Sequence, residues 1–246
     1  MRITFISDTH SKHNQIKKDL PGGDLLIHAG DMTSMGYQHE IIEFCKWFSK
    51  IDNYEDKIFI AGNHDWGFID PIIFKSSRIV DIPQKTKEIL EKYQGFEYLQ
   101  DEEMVLYFDG PNGDRPEDNI HIYGSPWQPE FYDWAFNLPR NGEELKEKWN
   151  MIPERTDILV THGPAWGFVD QIIGTTNHLG CELLTERITQ IKPKIHVCGH
   201  IHSGRGYYFD GNTHFINASV LNERYNYEYK PITVDWNPDT NEMIFL

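Results

Sequence analysis

Residues 194–202 read KIHVCGHIH: a short apolar run that stops at Gly199 and then presents His200 and His202 one residue apart. On an extended chain residues i and i+2 point to the same face, so the two imidazoles lie side by side. Protonated, they repel each other; neutral, they can hold a metal. A solvated loop with two unrelated histidines is the plainer reading. What separates the two is whether other ligands are placed to meet the pair.

Four further apolar runs end in the same manner. ITFI (3–6) is followed by SDTH, with Asp8 and His10 again at i and i+2. LLIHA (25–29) leads into Asp31, and KIFIA (57–61) into Asn63, His64 and Asp65. DILV (157–160) leads into His162. Singly these are weak signals, because a strand-end aspartate commonly caps a turn and a lone histidine commonly belongs to a core. Jointly they are not, since ligands in open α/β sheets bind beyond the carboxyl ends of the strands. Five strands therefore deliver their polar ends to one place. His28 and His196 sit inside apolar runs and read as core residues, while His178 reads as a loop contact near the site.

Outward from these runs, helix-like segments at 37–51, 143–150 and 180–191 alternate with strands, the pattern of an α/β core with parallel pairing. The last forty or so residues change to short strands broken by turns, which predicts a second, more antiparallel portion of sheet. Residues 66–150 are aromatic-rich and predict an irregular cap, with a loop cluster at 109–119. No linker divides the chain, so a single domain over 1–246 is expected.

At 246 residues the chain can bury a substantial core, and no run of 18 apolar residues exists to span a membrane. The N-terminus enters a strand-like run at once, without the pattern of a secretory leader. Three cysteines without a CxxC fit a reducing compartment and a cytoplasmic location. The net charge of −15 argues against broad nucleic-acid binding, which depends on basic patches. An acidic chain that handles phosphate needs positive charge from elsewhere, and a metal can supply it.

The ordered set Asp-x-His, Gly-Asp, Gly-Asn-His-Asp, His-Gly and Gly-His-x-His, spanning 8–202, resembles the calcineurin-like metallophosphoesterase superfamily. IYGSPWQPEFYDWAFNLPR (122–140), THGPAWGF (161–168) and FINAS (215–219) resemble its small metallophosphoesterase-domain-containing subgroup, found in animal brain with relatives in bacteria. Some members of that subgroup lack the first histidine of Gly-His-x-His; this chain keeps it as His200. The resemblance implies a four-layer α/β/β/α sandwich of two mixed sheets. It also implies one divalent ion held by Asp8, His10, Asp31 and His202, and a second by Asp31, Asn63, His162 and His200, with Asp31 shared.

Such a ligand mix suits Mn, Fe, Zn, Co or Ni better than Ca or Mg. Two ions about 3.5–4 Å apart can share a hydroxide and clamp an in-line displacement at phosphorus. With Asp8, Asp31 and that hydroxide, the core carries a net charge of about +1, enough to draw phosphate into an acidic protein. The resemblance leaves His64 free to act as general acid, with Asp65 either orienting it or only capping the next turn. Among Trp127, Phe131, Tyr132, Trp134 and Phe136 most read as the core of the cap, with Trp127 and Phe131 candidates to meet substrate. Arg205 reads as a phosphate contact or a loop brace.

The function expected is a phosphodiesterase acting on small nucleotide or aryl diesters by attack of a metal-bridging hydroxide. A phosphomonoesterase or protein phosphatase on the same site is the alternative. A non-catalytic scaffold is disfavoured, because all seven implied ligand positions are filled. A zinc protease is excluded by the lack of H-E-x-x-H.

Overall fold

The computed structural model describes residues 1–69, 82–107 and 119–246, so most of the 109–119 loop cluster lies outside the described residues. The chain runs β1 (Arg2–Ile6), β2 (Gly23–Ala29), α1 (Gln38–Ser49), β3 (Tyr54–Ile60), α2 (Ile82–Leu90), β4 (Glu97–Tyr98), β5 (Glu102–Leu106) and β6 (Ile120–Ser125). It continues through β7 (Gln128–Pro129), β8 (Asn137–Leu138), α3 (Glu143–Asn150), β9 (Ile158–Thr161), α4 (Glu182–Ile191), β10 (Ile195–Cys198), β11 (Gly206–Phe209), β12 (His214–Asn217), β13 (Ile232–Trp236) and β14 (Met243–Phe245).

Two six-stranded mixed sheets result, ordered β14-β13-β1-β2-β3-β4 and β11-β12-β10-β9-β6-β5. Strand periodicity explains how they stack. Ile3, Phe5, Leu25, Ile27, Ile58 and Ile60 of the first sheet pack with Ile122, Ile158, Val160, Ile195, Val197 and Ile216 of the second in one apolar layer. Alternate residues face the other way and meet helices: Phe59 packs on Phe44 and Phe48 of α1 at ring separations of 5.2 and 6.0 Å. On the far side α3 and α4 lie together, with Trp149 Nε1 donating to Cys181 Sγ at 3.4 Å. The four expected layers are therefore present.

Two sequence expectations change. The late strands do not form one antiparallel portion. β13 and β14 extend the first sheet antiparallel to β1, whereas β12 pairs parallel with β10 in the second sheet. The 66–150 stretch is not simply an irregular cap either. Its IHIYGS segment is β6, buried and paired parallel to β9, and among the described residues the short ribbon β7–β8 has the character of an addition. The glycine and serine that end β6 weaken its strand signal, and its pairing partners lie far away in sequence.

His28 and His196 are buried as expected, each with Nε2 within hydrogen-bond distance of a threonine hydroxyl, Thr9 at 2.9 Å and Thr161 at 2.8 Å. Burial lowers both to about 3. Among the described residues no helix is long and apolar enough to cross a membrane, and all three cysteines are buried and unbridged.

Candidate metal centre

β1, β2 and β3 of the first sheet and β9 and β10 of the second end on the same side, and their polar ends converge. His10 Nε2 and His162 Nε2 lie 3.6 and 3.4 Å from the same atom, Asp31 Oδ2. His202 Nε2 lies 3.4 Å from Asp8 Oδ1. Asn63 Oδ1 sits 3.0 Å from His162 Nε2 and 2.9 Å from His200 Nδ1. Three overlapping groups have ligand atoms within 4.8 Å of one another: Asp8, His10 and His202; Asp8, Asp31 and His162; His10, Asp31 and His64. Asp31 thus stands between a His10 side and a His162 side.

The backbone is bent to achieve this. Asp8, His10, Asp31 and His200 adopt φ values of 56°, 39°, 56° and 66°, a region that residues with a side chain seldom occupy. Such strain collects at functional sites where the surroundings over-determine it. At Gly199 an added Cβ would lie 2.0 Å from Ser7 Oγ and 2.2 Å from Asp8 Oδ2. Gly199→Ala is accordingly expected to displace Asp8 and reduce bound metal while leaving the circular dichroism spectrum in place. Full metal retention by that variant would show that the close approach is not needed.

The donor chemistry suits a metal. Both ring nitrogens of His10 are buried and neither makes a hydrogen bond to the protein, a costly arrangement unless something else engages them. His162 Nδ1 faces the Ala29 carbonyl at 2.9 Å and His202 Nδ1 the Asn222 carbonyl at 2.9 Å. Donating there, each ring leaves Nε2 as the ligand atom, the usual support for a metal-bound histidine. Burial lowers His10 to about 4, and burial together with His162 lowers His200 to about 3, so both rings are neutral. His162 and His202 move the other way: burial opposes it, but Asp31 raises His162 and Asp8 raises His202, each to about 9. Against their burial, Asp8 is held below the usual carboxylate range by His202 and Asp31 by His162. A cation held here would replace the protons on His162 and His202 as the countercharge to Asp31 and Asp8.

The other expected site residues fare differently. His64 borders the centre, its ring 4.6 Å from that of His10 and stacked on Trp134 at 4.1 Å. Its Nδ1 faces the Ser34 carbonyl at 2.7 Å. Asp65 is not its orienting partner. The buried Asp65 carboxylate accepts from Gly62 N at 2.8 Å, Met32 N at 3.3 Å, Thr33 N at 2.9 Å and Thr33 Oγ1 at 2.5 Å. It ties the loop after β3 to the loop after β2, and sequence adjacency to His64 misled because the two side chains diverge. Burial and neighbouring Asp31 raise its carboxyl to about 7, with the Thr33 and Gly62 donors pulling the other way.

Trp127 does not meet the cleft as expected: it is 2 % exposed and donates Nε1 to Asp101 at 2.8 Å, so it belongs to the core. Arg205 braces a loop, donating to the Lys230 carbonyl at 2.5 Å and facing the Tyr229 ring at 5.4 Å. Phe131 does reach the cleft over the centre, edge-on to His200 at 5.4 Å. His178 pins the 171–178 hairpin through a 2.5 Å contact with buried Asp170.

Several residues at the site carried no recognisable signal in the sequence. Ser219 Oγ donates to Asp8 Oδ2 at 2.6 Å. Asn217 Nδ2 donates to the carbonyls of Gly199 and Ile201, holding the His200–His202 loop. Glu40 gathers Ser34 N, Met35 N and Tyr37 N at 3.0–3.1 Å, fixing the loop whose Ser34 carbonyl faces His64. Tyr225 lies over His10 and His202 at ring separations of 4.8 and 5.2 Å. The FINAS segment gave no reason by itself to assign Ser219 to Asp8, because that contact spans 211 positions.

Two mixed sheets with a cluster of histidine and carboxylate ligands across their ends define a metallophosphoesterase, and the comparisons agree. The model of the calcineurin-like phosphoesterase family matches residues 1–204, and the chain belongs to that family. Within it, the chain is 41% identical to human metallophosphoesterase domain-containing protein 1 over 95% of its own length and 70% of that protein's. It is 36% identical to a UPF0046 protein of Caenorhabditis elegans, over 96% of this chain and 60% of that one. The crystal structure of TT1561 of Thermus thermophilus shares the fold, with a TM-score of 0.59 at 12% identity over 99% of this chain and 97% of that one.

Proposed function

We propose that the protein is a phosphodiesterase with a dinuclear metal centre. Asp8, His10, Asp31 and His202 would hold one divalent ion, and Asp31, Asn63, His162 and His200 the other. Mn, Fe, Zn, Co and Ni are the metals this donor set suits. When bound, the pair supplies Lewis acidity and lowers the pKa of coordinated water. The observation that carries the reading is the convergence on Asp31 Oδ2 of His10 and His162, with both His10 nitrogens otherwise unpartnered.

His64 serves as general acid through Nε2, since Nδ1 is engaged by Ser34. Trp134 on one face and the Ser34 carbonyl at the edge fix the ring so that this nitrogen can meet a departing ester oxygen. Preference for a diester follows from the cleft wall. Among the described residues that line it, none is lysine or arginine. A monoester dianion brings a second negative charge that this wall does nothing to hold. Phe131 and Tyr225 offer rings against a second ester group instead.

The test is kcat/KM of the metal-loaded protein for bis(p-nitrophenyl) phosphate against p-nitrophenyl phosphate. We expect the diester to be favoured by about tenfold, the equivalent of one charge-assisted hydrogen bond withheld from the monoester. A preference for the monoester would make the protein a phosphomonoesterase on the same centre.

A further inference from the structure

Beside the proposed metal ligands the cleft, of about 330 Å³, is lined by Phe131, by Ile172 of the 171–178 hairpin and Leu179 just after it, and by the segment carrying Glu223 and Tyr225. We propose that this part of the cleft is a subsite for a positively charged ester group, so that the preferred substrate is the phosphodiester of an amino alcohol. The proposal rests on the phosphodiesterase reading above and names the class of substrate for it.

Charge is the first argument. Apart from the ligand Asp31, Glu223 is the one residue with a permanently charged side chain among the described residues lining the cleft. Glu223 therefore puts an exposed carboxylate on the wall of the cleft, opposite in sign to the metal pair that the centre would hold. A zwitterion with phosphate inward and ammonium outward matches that polarity, whereas a substrate bearing a second phosphate meets a carboxylate. The nearby Lys12 ammonium is committed to the Tyr225 carbonyl.

The aromatic faces are the second. Tyr225 and Phe131 are 42% and 46% exposed, yet each is set against metal-ligand imidazoles, Tyr225 on His10 and His202 and Phe131 on His200. Tyr225 holds a φ of 58°, an outlier conformation for an aromatic residue. Asn222 builds the turn that imposes it. Its carbonyl accepts Tyr225 N at 2.8 Å, and its Oδ1 accepts Arg224 N at 2.9 Å and Asn226 N at 3.0 Å. A ring kept at the mouth by a strained, pre-formed turn suits cation–π contact, which costs less when the aromatic face needs no reordering. Ile172 and Leu179 complete the wall with apolar surface for the methyl or methylene groups around an ammonium nitrogen.

Three p-nitrophenyl diesters of equal size and leaving group test this: the choline ester, its neutral 3,3-dimethylbutyl isostere, and a carboxylate-bearing alkyl ester. For the metal-loaded wild type at low ionic strength, kcat/KM for the choline ester should exceed that for the isostere by roughly fivefold, the size of a cation–π contact at a partly exposed site with one carboxylate beside it. The carboxylate ester should fall below both. Glu223→Gln should shrink the choline-to-isostere ratio towards one, and Glu223→Lys should invert it. Calorimetric binding of choline methylphosphonate against dimethylbutyl methylphosphonate gives a readout independent of turnover, and Glu223→Gln should lose the same preference there. A wild-type ratio near one, or a ratio that Glu223→Gln leaves alone, would overturn the subsite while leaving the diesterase reading intact. Failure to hydrolyse any of the three diesters would overturn the diesterase reading and the subsite together.

Discussion

Replacing Asp31 by alanine should strip both metal positions at once. Its Oδ2 is within 3.6 Å of His10 Nε2 and within 3.4 Å of His162 Nε2, and its Oδ1 accepts the His64 backbone N–H at 2.8 Å. One carboxylate would therefore serve both proposed ligand sets, and it anchors the loop that carries Asn63 and His64. Metal analysis of Asp31→Ala after dialysis should give well under one equivalent, against two for the wild type. The loss of activity should exceed the roughly 10–100-fold typical of removing an outer-shell partner, because a shared ligand is lost. His162→Ala should chiefly weaken one position, since Asp8, His10 and His202 remain. Two equivalents retained by Asp31→Ala would mean that the positions are independent and that Asp31 bridges nothing.

Replacing His64 by alanine should have an effect that depends on the leaving group. A nitrophenolate departs as a stable anion and gains little from a proton, whereas an alkoxide needs one. General acid catalysis contributes about 10²–10⁴-fold, so a loss in that range is expected for an alkyl or nucleoside diester and a much smaller one for a nitrophenyl ester. Metal content should stay near two equivalents. Equal losses on both substrates would assign His64 to positioning, and loss of metal would make it a ligand, which its place beside His10 and Asp31 makes a pointed comparison. Asp65→Asn should behave otherwise. Its carboxylate holds Gly62, Met32 and Thr33 rather than the imidazole, so the variant should lose metal or stability without a leaving-group trend.

The centre was legible in the sequence as polar residues following apolar runs. Both i and i+2 pairs end at the centre, but strand geometry does not place them: Asp8, His10 and His200 lie beyond the strand ends with positive φ, and the bends put Asp8 and His10 with His202 while His200 meets Asn63 and His162. Five apolar runs ending in polar residues implied a common rim, although the rim proves to straddle two sheets. Contacts between segments distant in sequence were not legible. Ser219 reaches Asp8, Asn222 orients His202, and Tyr225 covers both histidines, all from a region whose local pattern says only strand and turn. The misreadings share one cause. Asp65 and Trp127 take partners set by tertiary packing rather than by their neighbours along the chain, whereas of the two readings open for Arg205 its contact with the Lys230 carbonyl supports the loop brace. Strand β6 was hidden for the same reason, since its burial between β5 and β9 is a property of the sheet rather than of its own residues.

Electron paramagnetic resonance of the protein titrated with Mn(II) decides whether two metal ions share Asp31. Two ions bridged by one carboxylate are magnetically coupled. A coupled spectrum is expected to grow to saturation at two equivalents per chain and to disappear in Asp31→Ala. Saturation at one equivalent, or two equivalents giving only the uncoupled signal of isolated Mn(II), would contradict it.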